Sequence, residues 1–417
     1  MVLPLTADRS RVAQRLAEVT RESRGRLLAL LAAPGRDIAA AEDALADAAE
    51  RALRRWPTDG VPANPEAWLL VVARNRLRDS WKSAAHRTSV PLDEMDHETV
   101  EFDDTTTDLP DRRLALMMVC AHPAIAESVR TPLMLQVVLG VDAAAIAVAF
   151  AVEPAAMAQR LVRAKKRIRD AGIPFVVPER ERLAERLPAL LEAVYGAYAI
   201  DWQLDGDGGP IASLSADALH LALLLAELLP DEPEVLGLAA LMCHSEARRP
   251  ARTDEDGRFV PLDEQDVARW DRVLIDRAER LLIRAHGHRR PGRFQYEAAI
   301  QSVHASRQAS GPLDVDTLRT LRTLHRALMR VSPSLGAAVA LAALDGELDG
   351  PDAGLRALDA LAAAADRFQP ALVVRAHLLD VGGRTAAAAD CYRRAIALTT
   401  APALAEHLSR RLREAGG

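Results

Sequence analysis

Aromatic side chains are scarce in this chain, at only 4% of 417 residues. Strands draw on β-branched and aromatic residues, so the shortage argues against sheet, while abundant Ala and Leu favour close-packed helices. Cysteine is rarer still. Cys120, Cys243 and Cys391 are far apart and odd in number, which excludes a disulfide framework or a CxxC pair and fits a reducing compartment. Cys120 with His122, and Cys243 with His244, lack a second ligand pair at zinc spacing and read as buried core residues. No apolar run is long enough to span a bilayer; the longest, Leu219–Leu229, is interrupted by Glu227, and the N-terminus lacks the apolar core of a signal peptide. A cytoplasmic chain with no membrane partner is expected. Paired carboxylates are plentiful but none sits in a catalytic frame, and the glycine-rich stretch 205–209 lacks the strand and Lys-Ser/Thr of a phosphate loop. Neither enzyme chemistry nor a cofactor or metal is expected.

What the chain does contain is helical periodicity. Its hydrophobic fraction of 49% supports real cores, and nearly every apolar stripe repeats at three or four residues. The fold class expected is all-α. Charge is distributed unevenly beneath a net of −6. Residues 1–90 carry a net of +4, residues 91–110 a net of −8 with no Lys or Arg, and residues 111–175 again +4. Of 53 basic side chains only Lys82, Lys165 and Lys166 are lysines, all in the two basic stretches. The order predicted is a basic helical module (1–90), an acidic flexible linker (91–110), a second basic module (111–175), and a long series of helical hairpins (176–417).

In the first module, helices are expected from about Asp8 to Arg55, then a loop from Trp56 to Asn64, where proline and glycine disfavour helix. Asn64 caps and Pro65 opens the next helix, which buries Trp68, Leu69, Val72 and Leu77. Breaks are also expected at Asp205–Pro210, Leu229–Pro233, Arg249–Gly257, Gly287–Gly292 and Gly346–Gly350. Near the end, Ala376, Gly383, Ala388, Tyr392 and Ala395 occupy the relative places of a tetratricopeptide hairpin, echoed 33 residues earlier by Ala343 and Gly350.

Three helices carry the chemistry. The sharpest signal is VDAAAIAVAFAVEPAAMAQRLVRAKKRIRDAG: Asp142 caps a short helix, Ala145, Ala147 and Ala149 permit a close crossing, and Pro154 opens a second helix. Met157, Leu161, Ala164 and Ile168 face inward, leaving Gln159, Arg160, Arg163 and Lys166 outward. This is helix-turn-helix spacing, in which the second helix enters the major groove. Gln and Arg pair with adenine and guanine edges, and Lys165, Lys166, Arg167 and Arg169 suit phosphates. A solvated basic helix within a hairpin has the same pattern. In NPEAWLLVVARNRLRDSWKS, the residues Arg74, Asn75, Arg78, Trp81 and Lys82 share a polar face that can follow a phosphate backbone and stack on an unpaired base; an ordinary surface helix with Trp81 half-buried explains the spacing equally. In AAAEDALADAAERAL, the residues Glu42, Asp43, Asp47 and Glu50 form an acidic edge above Leu45 and Leu53, either a docking edge for a basic partner or a solubilising face.

Together these segments resemble the extracytoplasmic-function branch of the sigma-70 superfamily, in the subgroup with a C-terminal tetratricopeptide-like extension. AEDALADAAERAL is similar to region 2.1–2.2, AWLLVVARNRLRD to region 2.3–2.4, and the helix-turn-helix to region 4. WPTDGVPANPEAWLLVVARNRLRD, CAHPAIAESVRTPLMLQVVLGV, LLPDEPEVLGLAALM and DEQDVARWD resemble blocks of that subgroup. The chain departs from its pattern at Ala46, Ala145 and Gly196–Asp201. The resemblance implies a promoter-specific transcription initiation factor. Glu42, Asp43 and Asp47 would meet core RNA polymerase, and Arg74, Asn75, Arg78, Trp81 and Lys82 the melted minus-10 element. Gln159, Arg160, Arg163 and Lys166 would meet the minus-35 element, and the loop 56–64 would hold an extruded base. It also implies a regulatory extension and a small YCII-related (DGPF-motif) protein as partner. Two other classes compete: a helix-turn-helix regulator whose repeat domain senses a ligand or peptide, and a helical scaffold or enzyme with a repeat-domain pocket.

Overall fold

The computed structural model describes residues 4–88, 109–150, 152–204, 214–307, 311 and 313–416. Every regular element among them is helical, and the single extended pairing is an isolated bridge between Thr253 and Phe259. The all-α expectation holds. The chain divides into two compact units, Met1–Ile200 and Asp201–Gly417.

The first unit begins with α1 (Pro4–Gly35), α2 (Ile38–Asp59) and α3 (Pro65–Thr88). α1 stops at Pro34-Gly35. Arg36 then takes a left-handed φ of 52°, uncommon for a residue with a side chain, and Asp37 caps α2 by accepting from the Ala40 amide at 3.1 Å. Ile38, Ala41, Ala44, Leu45, Ala48, Ala52 and Trp56 are buried along one stripe of α2. Against it lie Leu27, Leu28 and Leu31 of α1 and Leu69, Ala73 and Leu77 of α3, all buried.

Three expectations need correction here. α2 runs on through Trp56 and Pro57 to Asp59, so the loop is only Gly60–Asn64. Proline is costly in a helix interior but tolerable in the last turn when packing holds it. Trp56 is buried edge-on against Trp68 at 5.5 Å, and the Gly60 amide closes the turn onto the Trp56 carbonyl at 3.0 Å. Leu53 is not beneath the acidic edge; it is 47% exposed. In α3, Trp68 and Val72 are only half-buried, because the core stripe passes through Leu69 and Ala73.

The remainder of the unit is α4 (Leu109–Cys120), α5 (Glu127–Leu139), α6 (Ala143–Ala149), α7 (Pro154–Asp170) and α8 (Arg180–Leu204). Of the acidic stretch 91–110, residues 91–108 lie outside the described residues, and Leu109 and Pro110 already belong to α4. Leu114 to Ala121 are buried throughout. α4 and α5 pack directly on α1. The fit is close enough that a Cβ added at Gly25 would lie 2.9 Å from the Val138 carbonyl. The two basic stretches therefore share one core.

In the second unit, α9 (Leu214–Leu228), α10 (Pro233–Ala247), α11 (Arg272–Gly287), α12 (Arg293–Ala305), α13 (Val315–Val331), α14 (Leu335–Asp349), α15 (Pro351–Asp359), α16 (Ala363–Asp366), α17 (Gln369–Val381), α18 (Thr385–Ala397) and α19 (Pro402–Gly416) follow in order. Each long helix packs chiefly on its near neighbours in sequence, the organisation of stacked helical hairpins. Glu234 of α10 ties α10 to α12, accepting from the Phe294 amide at 3.0 Å and the Gln295 amide at 3.3 Å. In the last hairpin Ala376, Ala388, Tyr392 and Ala395 are buried where α17 meets α18, and Gly383 turns the chain at φ 73°. In the preceding hairpin it is Ala342, not Ala343, that is fully buried. Gly346 is no break; it lies inside α14, where the missing Cβ leaves room for Leu378 of α17. The expected break at Asp205–Pro210 falls on residues of which 205–210 lie outside the described ones.

Candidate nucleic-acid interface

α6 and α7 are joined by a short turn and pack on each other. Asp142 caps α6, accepting from the Ala144 amide at 2.8 Å, and Glu153 caps α7, accepting from the Ala156 amide at 3.1 Å. Pro154 follows at the first helical position, where its missing N–H costs nothing. Met157, Leu161, Ala164 and Ile168 are buried on the inner face. Gln159, Arg160, Arg163 and Lys166 are exposed on the outer one. No ion pair among the described residues engages Arg160, Arg163 or Lys166, and the Arg163 guanidinium only returns to the Gln159 carbonyl at 3.3 Å. Three cations and an amide on one helical face, uncommitted to protein partners, can meet phosphates and base edges.

The α3 face is assembled differently. Asn64 caps the helix, accepting from the Ala67 amide at 3.0 Å, and Glu66 ties its first turn to Arg26 of α1. Asn75 and Arg78 are exposed and Arg74 is half-buried. Trp81 is 46% exposed, with the rest of its ring over Gly35, where an added Cβ would lie 3.1 Å from it. One edge of the indole thus packs on α1 while the other remains open for stacking. Lys82 lies in α3, and its side chain falls outside the described residues.

The acidic edge of α2 is only partly free. Asp43 is exposed, whereas Glu42 and Asp47 are half-buried and paired. Asp47 takes Arg51 at 3.1 Å and Arg76 at 3.5 Å. Glu42 takes Arg24 at 3.2 Å and Lys165 of α7 at 2.6 Å. Lys165 and Arg169 are therefore not phosphate-facing, contrary to expectation: Lys165 is 8% exposed, and Arg169 pairs with Asp37 at 3.2 Å. Arg36 adds a third link, donating to the Gly172 carbonyl at 2.9 Å. Such pairs, more than 120 residues apart, leave no periodic trace in a sequence. One signal was there: Lys165 follows Leu161 by four residues and precedes Ile168 by three, on the flank of the inward stripe. Cys120 lies close by; burial pushes its thiol up to about 12, the Lys165 ammonium opposing and the Glu42 carboxylate adding.

Comparison with known proteins bears on this arrangement. Residues 20–87, which cover α2, most of α1 and nearly all of α3, match the family model described as Sigma-70 region 2. The chain belongs to the sigma-70 superfamily. That superfamily consists of transcription initiation factors that are not enzymes, and its region 2 implies binding to core RNA polymerase and promoter DNA. Residues 186–286 match a second model, described as a family of unknown function (DUF6596). The chain is 36% identical over 375 residues to "Uncharacterized protein R00370" of Rhizobium meliloti (strain 1021), covering 88% of this chain and 87% of that protein, so the two belong to one family. No solved structure matches. No helix among the described residues is long and apolar enough to cross a membrane, and no group of three or more His, Cys, Asp or Glu there could hold a metal ion.

Proposed function

We propose that this protein is a sigma factor of the extracytoplasmic-function type, with a C-terminal helical-repeat extension that regulates it. Glu42, Asp43 and Asp47 of α2 form the polymerase-facing edge. Arg74, Asn75, Arg78, Trp81 and Lys82 of α3 meet the melted minus-10 strand, with cations along its backbone and the indole stacked on a base. Gln159, Arg160, Arg163 and Lys166 of α7 read the minus-35 duplex in the major groove. Each contact is modest alone; carrying both on one chain raises the effective concentration of the second once the first is made. The acidic stretch 91–110 joins them and suits a basic channel in the polymerase. The extension takes protein partners, and a small YCII-related protein is the partner suggested by resemblance.

The observation that carries this reading is the outward, uncommitted face Gln159–Arg160–Arg163–Lys166 on a proline-opened second helix, in a chain whose residues 20–87 match Sigma-70 region 2. Run-off transcription with core polymerase tests it. The full chain should give promoter-specific product, and Arg163→Glu should lower promoter use by the ~1–3 kcal/mol that a base or phosphate contact is worth without shifting the melting temperature. A free-standing operator-binding regulator would bind its site tightly without polymerase. Tight operator binding with no stimulation of core polymerase would overturn the sigma reading.

A further inference from the structure

The three links between α2 and α7 form an ordered set. Lys165 meets Glu42, Arg169 meets Asp37, and the carbonyl of Gly172 meets Arg36. As residue numbers rise along α7 they fall along α2, so the two helices run antiparallel, joined over about two turns. Lys165 is the best buried of these groups, and both oxygens of Glu42 are occupied, one by Lys165 and one by Arg24. Around the charged row the contact is apolar and close: α1 lies on α4 and α5, and Gly25 lets α1 reach the Val138 carbonyl.

The outward faces of α3 and α7 are untouched by this contact, but the acidic edge of α2 is not. Glu42 spends its charge inside the protein. The contact also fixes α3 and α7 at one separation, whereas reading two promoter elements on a polymerase requires each to settle on its own site. We propose that the α2–α7 contact is an autoinhibitory latch, in which Lys165 and Arg169 stand in for a basic surface of polymerase and must be displaced before the acidic edge can dock. The inference rests on the sigma reading above. It assigns Lys165 a regulatory role and separates it from its neighbour Lys166.

Two substitutions open the latch by different physics. Lys165→Met keeps the aliphatic stem and removes the charge, leaving Glu42 to Arg24. Gly25→Leu leaves every charge in place and forces α1 off α5 by sterics. Cys120 reports opening independently of polymerase, because it is buried beside Lys165 and Glu42. Its alkylation by a maleimide, followed peptide by peptide, should be slow in the full-length wild type and faster in both variants, with Cys243 and Cys391 unchanged as controls for global unfolding. Affinity for core polymerase should rise in the same variants. A closed state holding nine-tenths of the molecules lowers apparent affinity about tenfold, so a gain approaching that size is expected. Faster Cys120 labelling with no gain in affinity would overturn the latch as a regulator, and Cys120 as slow as in wild type in both variants would overturn the contact itself. If all forms, opened ones included, fail to bind core polymerase, the sigma reading falls and takes the latch with it.

Discussion

Glycines set some of the closest approaches in this molecule, and one of them fixes how the second unit is built. At Gly237 in α10 an added Cβ would lie 2.7 Å from the Gln295 amide and 3.0 Å from the Phe294 carbonyl carbon, both backbone atoms of α12. Backbone cannot swing aside as a flexible side chain can. Gly237→Ala should therefore destabilise the protein by roughly 1–3 kcal/mol, the usual cost of overpacking, read as a lower urea midpoint with an unchanged slope. A neighbour on the same helix makes the fold sensitive to acid. His244 is buried, and its pKa is lowered to about 4, by burial first and the Arg248 guanidinium second. An unfolded imidazole takes a proton near 6.5, so the unfolded state binds more protons across the interval between 6.5 and about 4. Stability should fall as pH drops through that window. Urea midpoints measured at intervals across it should decline, and His244→Leu should flatten the decline; an unchanged slope would remove His244 as its source.

At the scale of the element, legibility tracked locality. α7 could be read in full because its signals are local: a capping acid, a proline at the first position, and four inward apolar residues at helical spacing. Its outward face followed from the same periodicity. The end of α2 misled for the opposite reason. Pro57 is a local stop signal, but Trp56 is held by Trp68 from another helix, and tertiary packing overrode the proline by one turn. The neutral half of the candidate interface was visible in sequence, while the paired half, Lys165 with Glu42 and Arg169 with Asp37, required knowledge of which helices meet. α6 provides a test of local logic. It has only seven residues, short for a helix to persist unaided, so its cap matters disproportionately. Asp142→Ala should cost about 0.5–2 kcal/mol, concentrated locally. Hydrogen exchange over Ala143–Ala149 should quicken while α1 and α2 stay protected, and minus-35 binding should weaken as the platform under α7 loosens.

For the whole molecule, the connection between α10 and α11 has the widest reach. Its residues 248–271 hold two short 3-10 turns and the Thr253–Phe259 bridge, and they span much of the second unit. Arg307, just past α12, donates to the carbonyls of Leu262 and Asp263, and Phe259 meets His407 of α19 edge-on at 5.5 Å. Arg258 approaches Glu406 at 3.9 Å. A simple stack of hairpins is bonded only link to link, and its terminal helix frays first. Here the terminal helix is held by a segment some 140 residues earlier in the chain. Phe259→Ala should release it, seen as faster hydrogen exchange confined to Pro402–Gly416, with α10 to α12 unaffected.

That long connection works like the clasp of a necklace. Pulled by its final residues, an open string of beads would surrender one bead at a time at low force; a clasped one resists until the clasp gives and then yields several together. A pulling experiment on this protein should accordingly record a single early rip spanning α19 and its neighbours, in place of a staircase that starts at the tail.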